Sequence, residues 1–376
     1  MSKIAKEIVL VPGVSLRLEM PVEHGEKFAN DLIEAIEILL KEKNYLGSYL
    51  KARDVLATRG LSIFDAPFMK TLLSIYTKKL APAMHTYMVN DSSRNDSFHN
   101  AIIKAMEKAG DKIVLDIGSG SGILAMMCAK EGVGEKEIIA CEVNPLVADL
   151  CELTLKQNGL DKRIKLVKKK SSELEVGEHL SDKADILVSE VIADNIISEG
   201  IISTVNHAHE QLLKKGGTVI PKRACLYGVL IEDQSLREQS KFPETVNGFD
   251  MTGMQNIFNS EILYPDEYFV RNINSNKHLS DKVELFDFDF TKKVAVHQES
   301  LISVRATHSG SLHGLLLFFT LDVDDDNTIN SLDEASCWIP KFIPHYGNKK
   351  IAKGDLIEFV CSYQSGLPFI NVDWRE

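Results

Sequence analysis

Hydrophobic and polar positions along the chain follow three successive patterns. Near the N-terminus a short alternating stretch, IVLVPGVSLRLEM, is followed by apolar residues at helical spacing around residues 26–43, 47–58 and 68–80. From about Ser97 an amphipathic helix leads into the apolar run KIVLDI, and the runs EIIACE, RIKLVKK, ADILVSE and GGTVIP follow, separated by stretches of helix length. Beyond Pro221, short alternating runs such as VELFDFDF, GLLLFFTLDV and LIEFVCSY predominate. The chain therefore passes from helical to alternating α/β to mostly β character.

These patterns predict an α/β protein with three parts. Residues 1–80 form an N-terminal helical extension, and residues 81–221 form a doubly wound, Rossmann-like domain whose parallel sheet is covered on both faces. Residues 222–376 form an antiparallel β-barrel or sandwich. The polar and partly helical stretch at about 232–260 is too long for a hairpin loop, and its spacing fits an arm toward another subunit and a surface excursion equally well.

Composition and charge narrow the range of partners. The 376 residues are 44% hydrophobic and 26% charged, and the formal net charge is −11, so no basic surface is available to neutralise nucleic-acid phosphates. The six cysteines form no CxxC pair and no Cys/His spacing typical of a metal site, which predicts free thiols, no bound metal and a reducing compartment. Because the chain has no apolar stretch of about 20 residues and no cleavable leader, we expect neither membrane spanning nor secretion.

The strongest local signal is VLDIGSGSGIL at residues 114–124, a buried strand that runs into glycines and then a helix. The loop contains Gly118, Gly120 and Gly122. Glycines allow a ligand to approach the backbone closely, and the loop lies where open α/β sheets bind cofactors. A dinucleotide fingerprint needs glycine at the sixth position, which is Ile123 here. Asp116 favours an α-amino or sulfonium group over a pyrophosphate, and Glu142 ends the next strand, where it can accept both ribose hydroxyls. Together these residues favour S-adenosylmethionine over NAD, whereas the loop alone is also compatible with a purely structural turn.

A pair of carboxylates indicates the acceptor. Glu190 ends the strand ADILVSE, Glu199 follows nine residues later, and the Asn-Pro-Pro-Tyr sequence common in enzymes that methylate neutral base or amide nitrogens is absent. A guanidinium stays protonated, offers a planar fork of N–H donors and pairs bidentately with carboxylates. Holding it about 4 Å from a sulfonium costs roughly 4 kcal/mol at an effective dielectric of about 20, which two carboxylates would offset. Taken alone, the two acids are also explained as ordinary exposed residues of a loop and a helix start.

With these residues in view, the chain resembles the protein arginine methyltransferases from about His85 to the C-terminus. Their paired-glutamate loop has the spacing of Glu190 and Glu199, and the resemblance makes these the catalytic residues that hold the arginine side chain. It implies cofactor contacts at His85, Arg94 (at the cofactor carboxylate), Asp116, Gly118, Gly120, Gly122, Glu142, and Ser172 and Glu173 (at the adenine base). Asp91 and Trp338 are implied to support and to wall the substrate pocket.

The resemblance also bears on architecture and partners. It implies a class I methyltransferase domain followed by a β-barrel, with NGFDM at residues 247–251 inside a dimerisation arm. It further implies a homodimer that acts on arginine-containing proteins, histone-like or Arg/Gly-rich, in the cytoplasm with the nucleus as a second compartment. Nucleic acid as the main partner is not expected.

Within the family the chain is most similar to the seventh and ninth subgroups, because Glu199 is followed by Gly200. The seventh makes monomethylarginine, which we expect here, and the ninth makes symmetric dimethylarginine, which stays open. The family's Thr-His-Trp is replaced by Ser336-Cys337-Trp338, and Cys337 is a poor hydrogen-bond partner for Asp91. A methyltransferase for another acceptor and an inactive cofactor-binding module are therefore kept as alternatives.

Overall fold

The computed structural model describes residues 3–11, 14–21, 25–42, 44–64, 66, 69–80, 84–107, 112–131, 137–240, 243–254, 277–333, 335–345, 347–367 and 370–375. Within these ranges a helical N-terminal part precedes a parallel sheet, and antiparallel sheets follow it. The predicted α/β fold class is confirmed, whereas the domain boundaries stay predictions. No helix in these ranges is long and apolar enough to cross a membrane.

The described N-terminal part comprises a β-hairpin and three helices. Its elements are β1 (Lys3–Val11), β2 (Val14–Pro21), α1 (Gly25–Glu42), α2 (Tyr45–Ala57) and α3 (Lys70–Leu80). Asn44 begins α2 as its N-cap, because its side chain accepts a hydrogen bond of 2.8 Å from the backbone N–H of Gly47. Residues at helical spacing, among them Leu32, Tyr49 and Tyr76, are fully buried between the helices. These helices therefore share a hydrophobic core of their own.

The middle part alternates between helix and strand. Its elements are α4 (Met84–Asn90), α5 (Ser92–Glu107), β3 (Ile113–Ile117), α6 (Ile123–Glu131), β4 (Glu137–Cys141), α7 (Pro145–Gln157), β5 (Ile164–Val167), a 3₁₀ turn (Ser171–Glu173), β6 (Ala184–Ser189), α8 (Ile201–His207), a π-helical turn (Ala208–Leu212) and β7 (Leu213–Ile220). The strands form a parallel sheet in the order β5-β4-β3-β6-β7. Because they are parallel, the loops after β3, β4 and β6 meet at one edge of the sheet.

The C-terminal part is almost entirely β-structure. Its elements are β8 (Arg223–Glu232), α9 (Gln234–Ser240), β9 (Thr245–Val246), β10 (Phe249–Asp250), β11 (Lys277–His278), β12 (Val283–Asp289), β13 (His297–Arg305), β14 (Gly310–Ser311), β15 (Gly314–Asp322), β16 (Thr328–Asn330), β17 (Lys341–Pro344), β18 (Lys350–Ile351), β19 (Leu356–Gln364) and β20 (Asn371–Trp374). A 6-stranded antiparallel sheet has the order β11-β8-β15-β16, with β12 also paired to β8 and β17 to β15. Strands β13-β19-β20 form a second sheet, and β14 pairs with β18. The described part of the expected arm contains α9 and the β9–β10 hairpin, and residues 255–260 of that arm lie outside the described ranges.

One hydrophobic core runs through the middle and C-terminal parts. It includes Leu115 and Val188 of the parallel sheet together with Phe319 and Phe359 of the antiparallel sheets, all of them fully buried. The N-terminal helices have a separate core, to which Leu146 of α7 contributes. The shared core therefore joins the antiparallel part to the parallel sheet, and contacts between the two parts recur at the candidate site.

Candidate active site

The glycine loop lies at the carboxyl end of β3, as the sequence predicts. Gly118, Gly120 and Gly122 have φ values of +78°, +54° and +83°, in the left-handed region that side chains rarely adopt. A Cβ atom placed on Gly118 would lie 2.2 Å from Cγ1 of Val191, which follows β6. Glycine at position 118 is thus required both by backbone conformation and by the close approach of the neighbouring loop.

Asp116 lies beneath this loop and not in an open cleft. Its side chain is completely buried, and Oδ2 accepts a hydrogen bond of 3.2 Å from the backbone N–H of Ala125 in α6. Oδ1 has no hydrogen-bond partner among the described residues. Burial raises the pKa of Asp116 to about 7. One oxygen of this side chain is thus bonded to the start of α6, and the expectation that an α-amino or sulfonium group lies near Asp116 stays a prediction.

Glu142 is held rigidly just after β4. Its Oε2 accepts a hydrogen bond of 3.0 Å from the backbone N–H of Gly120, and Oε1 accepts one of 2.7 Å from the backbone N–H of Asn144. Asn144 in turn is the N-cap of α7. These bonds place a fixed carboxylate beside the glycine loop, in the position where a ribose-binding acid is needed.

A cleft of about 270 Å³ opens at this edge of the sheet. It is lined by Ile117, Gly118, Cys141, Val143, Lys169, Lys170, Ser171, Val191, Ser198, Glu199, Gly200, Ser203 and Thr204. Ser171 lies in its wall, whereas the expected adenine contacts Ser172 and Glu173 are exposed and outside the lining, because the 3₁₀ turn directs them outward. Val143 is 62% exposed and offers an apolar surface beside Glu142.

Several of these lining residues were missed from the sequence. Val143, Ser171 and Val191 directly follow or adjoin the loops at the ends of β4, β5 and β6, and Ser203 and Thr204 belong to α8. The rule that cofactors bind at the carboxyl edge of a parallel sheet identifies those loops as candidates. Which side chain of each loop faces the cleft is visible only in the structure.

Glu190 and Arg94 form a buried ion pair behind the cleft. The two residues are 4% and 3% exposed, and Arg94 donates to Oε2 of Glu190 from Nε at 3.1 Å and also from Nη2. Oε1 of Glu190 accepts a bond of 3.3 Å from the backbone N–H of Ile192. Burial raises the pKa of Glu190, and the positive charge of Arg94 opposes that shift. The structure brings these two predicted site residues together, although the sequence assigned them to different ligands.

Glu199 has a different environment. It is exposed in the cleft and, among the described residues, neither a hydrogen-bond donor nor a cation is paired with it. Desolvation within the cleft raises the pKa of Glu199 to about 7, and the negative charges of Glu190 and Asp194 add to the shift. The positive charge of a group that enters the cleft would lower this pKa and favour the ionised carboxylate. Glu199 is therefore suited to receive a guanidinium.

The Ser336-Cys337-Trp338 segment approaches the site through its backbone. Oδ2 of Asp91 accepts a bond of 2.9 Å from the backbone N–H of Cys337, while Oδ1 accepts one of 2.8 Å from the backbone N–H of Arg94. Burial raises the pKa of the Cys337 thiol. The link between Asp91 and this segment therefore does not depend on a histidine side chain.

Trp338 and Asp194 connect the same segment to the paired-glutamate loop. Trp338 is 5% exposed and packs edge-on against Phe319, with ring centroids 5.3 Å apart. Its Nε1 donates to the carbonyl oxygen of Ile192 at 2.7 Å, and the backbone N–H of Ile339 donates to Oδ1 of Asp194 at 2.9 Å. Its ring is packed into the core, where it supports the loop, and its role as a wall of the substrate pocket stays a prediction. Asp194, which the sequence did not single out, is a third carboxylate of that loop.

The remaining expectations concern His85 and metals. His85 lies in α4, but its side chain is outside the described part of the chain. Among the described residues, no group of His, Cys, Asp and Glu side chains has a metal-binding arrangement. The backbone of Gly118 in the cleft lining, the fixed acid Glu142 and the apolar Val143 fit the backbone, ribose and base contacts that S-adenosylmethionine needs.

Comparisons with known proteins agree with this geometry. Residues 101–253 match the family model described as ribosomal protein L11 methyltransferase, and residues 222–336 match the arginine methyltransferase oligomerization subdomain. The chain is similar to the Trypanosoma brucei PRMT1 enzyme-prozyme heterotetrameric complex with AdoHcy, with a TM-score of 0.66 and 21% identity over 78% of this chain and 94% of that one. This likeness shows the fold.

Curated relatives are similar over most of the chain. An arginine N(omega)-methyltransferase of Streptomyces achromogenes subsp. streptozoticus is 28% identical over 313 residues, which cover 82% of each chain. Protein arginine N-methyltransferase 7 of Oryza sativa subsp. indica is 32% identical over 66% of this chain, and that of Drosophila melanogaster is 29% identical over 68%. The chain spans only 36% and 38% of the length of those two proteins.

Proposed function

The chain belongs to the protein arginine methyltransferase family, and on that premise we propose that it transfers a methyl group from S-adenosylmethionine to a guanidinium nitrogen of arginine. The observation that carries this proposal is Glu199, an unpaired carboxylate in a cleft that also contains the cofactor loop. A cleft built for a neutral acceptor would have no use for an uncompensated negative charge at this place.

In this proposal each residue has a defined task. S-adenosylmethionine, when bound, supplies a methyl group activated by the sulfonium charge. Gly118 admits it to the sheet edge, and Glu142 accepts hydrogen bonds from its ribose hydroxyls. Glu199 accepts N–H donors of the arginine side chain and orients the attacking nitrogen toward the methyl group. Glu199 is also placed to take the proton that this nitrogen loses.

Glu190 contributes the second negative charge of the clamp. The positive charge of Arg94 favours its ionised form, and the hydrogen bonds between the two side chains hold it in place without an acceptor bound. Through Asp91, which bonds the backbone N–H groups of both Arg94 and Cys337, the same pair is connected to the C-terminal β-structure. The acceptor is thus held between the parallel-sheet part and the antiparallel part.

We propose monomethylarginine as the product and histone-like or Arg/Gly-rich proteins as substrates, with symmetric dimethylation as the alternative. We also propose a homodimer formed through the arm, and a location in the cytoplasm and nucleus. Support for the dimer comes from the family match of residues 222–336 and from the β9–β10 hairpin, where Phe249 is 72% exposed and Val246 43%. Exposed apolar side chains at such a tip are suited to a partner surface.

Free arginine is a second candidate acceptor. The Streptomyces relative, which is named for arginine and not for protein arginine, matches this chain over 82% of both lengths. Free arginine carries the same guanidinium, so the interaction with Glu199 is common to both candidates. The two differ only in whether a polypeptide extends from the Cα atom of the acceptor.

One experiment separates these candidates from the remaining alternatives. The full chain is incubated with methyl-labelled S-adenosylmethionine and, in separate arms, a histone, a glycine-arginine-rich protein, free L-arginine and RNA, and acid hydrolysates are resolved for methylated arginines. We expect labelled monomethylarginine in a protein arm, and label only with free arginine would establish the second candidate. Label in RNA, or in no arm despite cofactor binding, would refute the arginine proposal. Glu199→Gln serves as the matched inactive control.

A further inference from the structure

The N-terminal helices α1–α3, which we call the helical cap (residues 25–80), have no role in the chemistry described above. Their core of fully buried residues includes Tyr49 and Tyr76, and it extends across to Leu146 in the first turn of α7. Since α7 directly follows the proposed ribose-binding acid Glu142, the cap is packed on a helix that begins at the edge of the cofactor site. Two polar contacts define how it is attached there.

The first contact joins α2 to α7. The hydroxyl group of Tyr49 donates a hydrogen bond of 2.5 Å to Oδ2 of Asp149, and Nη1 of Arg53 lies 3.4 Å from the same oxygen. Nζ of Lys168 bonds the other oxygen, Oδ1, at 2.6 Å. Burial and the Asp149 carboxylate both raise the pKa of Tyr49, so its hydroxyl stays protonated and donates to this carboxylate. Asp149 therefore fixes the cap to α7 through a partly buried, charge-assisted bond.

The second contact joins α3 to Glu142 through one side chain. Nδ2 of Asn144 donates a bond of 2.5 Å to the backbone oxygen of Leu80, the last residue of α3. Oδ1 of Asn144 accepts bonds from the backbone N–H groups of Leu146 and Val147, which begin α7. The backbone N–H of Asn144 donates to Oε1 of Glu142 at 2.7 Å. A continuous series of hydrogen bonds thus runs from the end of the cap to the ribose-binding carboxylate.

We propose that Asn144 is a positioning residue through which docking of the helical cap sets the affinity for S-adenosylmethionine. When the cap is docked, Leu80 orients the Asn144 amide, and Asn144 orients Glu142. The same end of α3 is followed four residues later by Met84, where α4 begins, and α4 leads to Asp91 and Arg94. Docking therefore restrains the chain on two sides of the cofactor cleft.

Two matched pairs of variants test this proposal with the full chain. Tyr49→Phe removes the hydroxyl that bonds across to Asp149, whereas Tyr76→Phe removes one that bonds Ser48 within the cap at 2.8 Å. Both rings are fully buried and pack edge-on against each other at 5.6 Å. Asn144→Ser keeps an N-cap residue but loses the bond to Leu80, and Asn44→Ser makes the same change at the N-cap of α2.

The readout is the dissociation constant of S-adenosylhomocysteine by titration calorimetry, with the midpoint of thermal unfolding as a folding check. Loss of a hydrogen bond to a charged or buried group changes an equilibrium constant by about tenfold. Because only part of this effect reaches the cofactor site, we expect Tyr49→Phe and Asn144→Ser to raise the dissociation constant by about three- to tenfold. The kcat at saturating cofactor should change less than about twofold, since the reacting groups are not altered. Tyr76→Phe and Asn44→Ser should bind like the unaltered chain, whatever their unfolding midpoint.

Hydrogen exchange gives a second measurement, which would not change if the contacts of the cap were only structural. If docking favours cofactor binding, binding must favour docking, so S-adenosylhomocysteine should increase hydrogen-exchange protection in α2 and α3 of the unaltered chain but not of Tyr49→Phe. Equal affinity in all four variants, or equal losses in both members of each pair, overturns the proposal. Cofactor binding needs no acceptor, so this result is independent of whether arginine is methylated.

Discussion

Replacing the two clamp glutamates with glutamine should have different consequences for each. Glu199→Gln removes an unpaired charge whose pKa is raised by partial desolvation, so near and above pH 7 the fold should be at least as stable as that of the unaltered chain. Glu190→Gln instead leaves Arg94 buried with only a neutral partner. Loss of one member of a buried ion pair costs about 3–5 kcal/mol, and we expect about 3 kcal/mol because glutamine still accepts a hydrogen bond.

The effect on turnover follows from the charge that meets the acceptor. A carboxylate about 4 Å from a guanidinium is worth about 4 kcal/mol at an effective dielectric of about 20. Because Glu199 is exposed to solvent, we discount this figure to about 2.7 kcal/mol, which corresponds to about a hundredfold loss of turnover. Glu190→Gln should also lose turnover, since Arg94 then lacks its charged partner and the position of the acceptor is no longer fixed.

The assay compares labelled methyl transfer to an arginine substrate with cofactor binding and thermal unfolding in both variants. We expect Glu199→Gln to bind S-adenosylhomocysteine within about threefold of the unaltered chain and to unfold at the same or a higher temperature. Glu190→Gln should unfold about 5–10 °C lower. Turnover near the original level in Glu199→Gln would refute the clamp, and equal unfolding temperatures in both variants would refute the assigned roles of the buried pair.

Four further outcomes follow from the same geometry. The kcat/KM for arginine should rise with pH through about 7, because only ionised Glu199 attracts the guanidinium, and this limb should vanish from the pH profile of Glu199→Gln. Since the folded chain holds that proton more tightly than the unfolded chain does, Glu199 should also lower the free energy of unfolding as pH rises from 4.5 to about 7, measurable by urea titration. Gly118→Ala should abolish detectable cofactor binding in calorimetry, because its Cβ would meet Val191 at 2.2 Å. Cys337→Ala should keep turnover within about threefold, since the bond to Asp91 comes from the backbone N–H; a loss like that of Glu199→Gln would show that the thiol itself is needed.

The parts of this site that follow from local chemistry are predictable from the sequence. A buried run that ends in GxGxG must turn sharply, and the positive φ values of Gly118, Gly120 and Gly122 are the reason for that spacing. Likewise, Glu142 and Glu190 end strands of one parallel sheet, so their arrival at one edge is a consequence of topology. The roles of these residues toward ligands stay predictions.

The parts that depend on long-range contact or side-chain direction are not predictable in this way. The side chains of Asp116 and Trp338 are buried almost completely, and which side chains face the interior is decided by strand alternation and core packing after folding. The pairing of Arg94 with Glu190 joins residues that are 96 positions apart. The contact of Leu80 with Asn144 crosses 64 positions and involves a backbone oxygen, which has no signature in the sequence.

The sequence presents Glu190 and Glu199 as an equivalent pair, and the structure makes them unequal. Glu190 is already satisfied by Arg94, whose Nη1 also bonds the Met88 backbone oxygen and Asn95, so the pair forms a fixed part of the protein interior. Glu199 bears the cost of partial desolvation without a partner, as its raised pKa of about 7 reflects. A cation that binds Glu199 offsets that desolvation cost. A cation that binds Glu190 must instead share the Glu190 carboxylate with Arg94. Selectivity for a cationic acceptor therefore resides mainly in Glu199, and Glu190 mainly determines where that acceptor can lie.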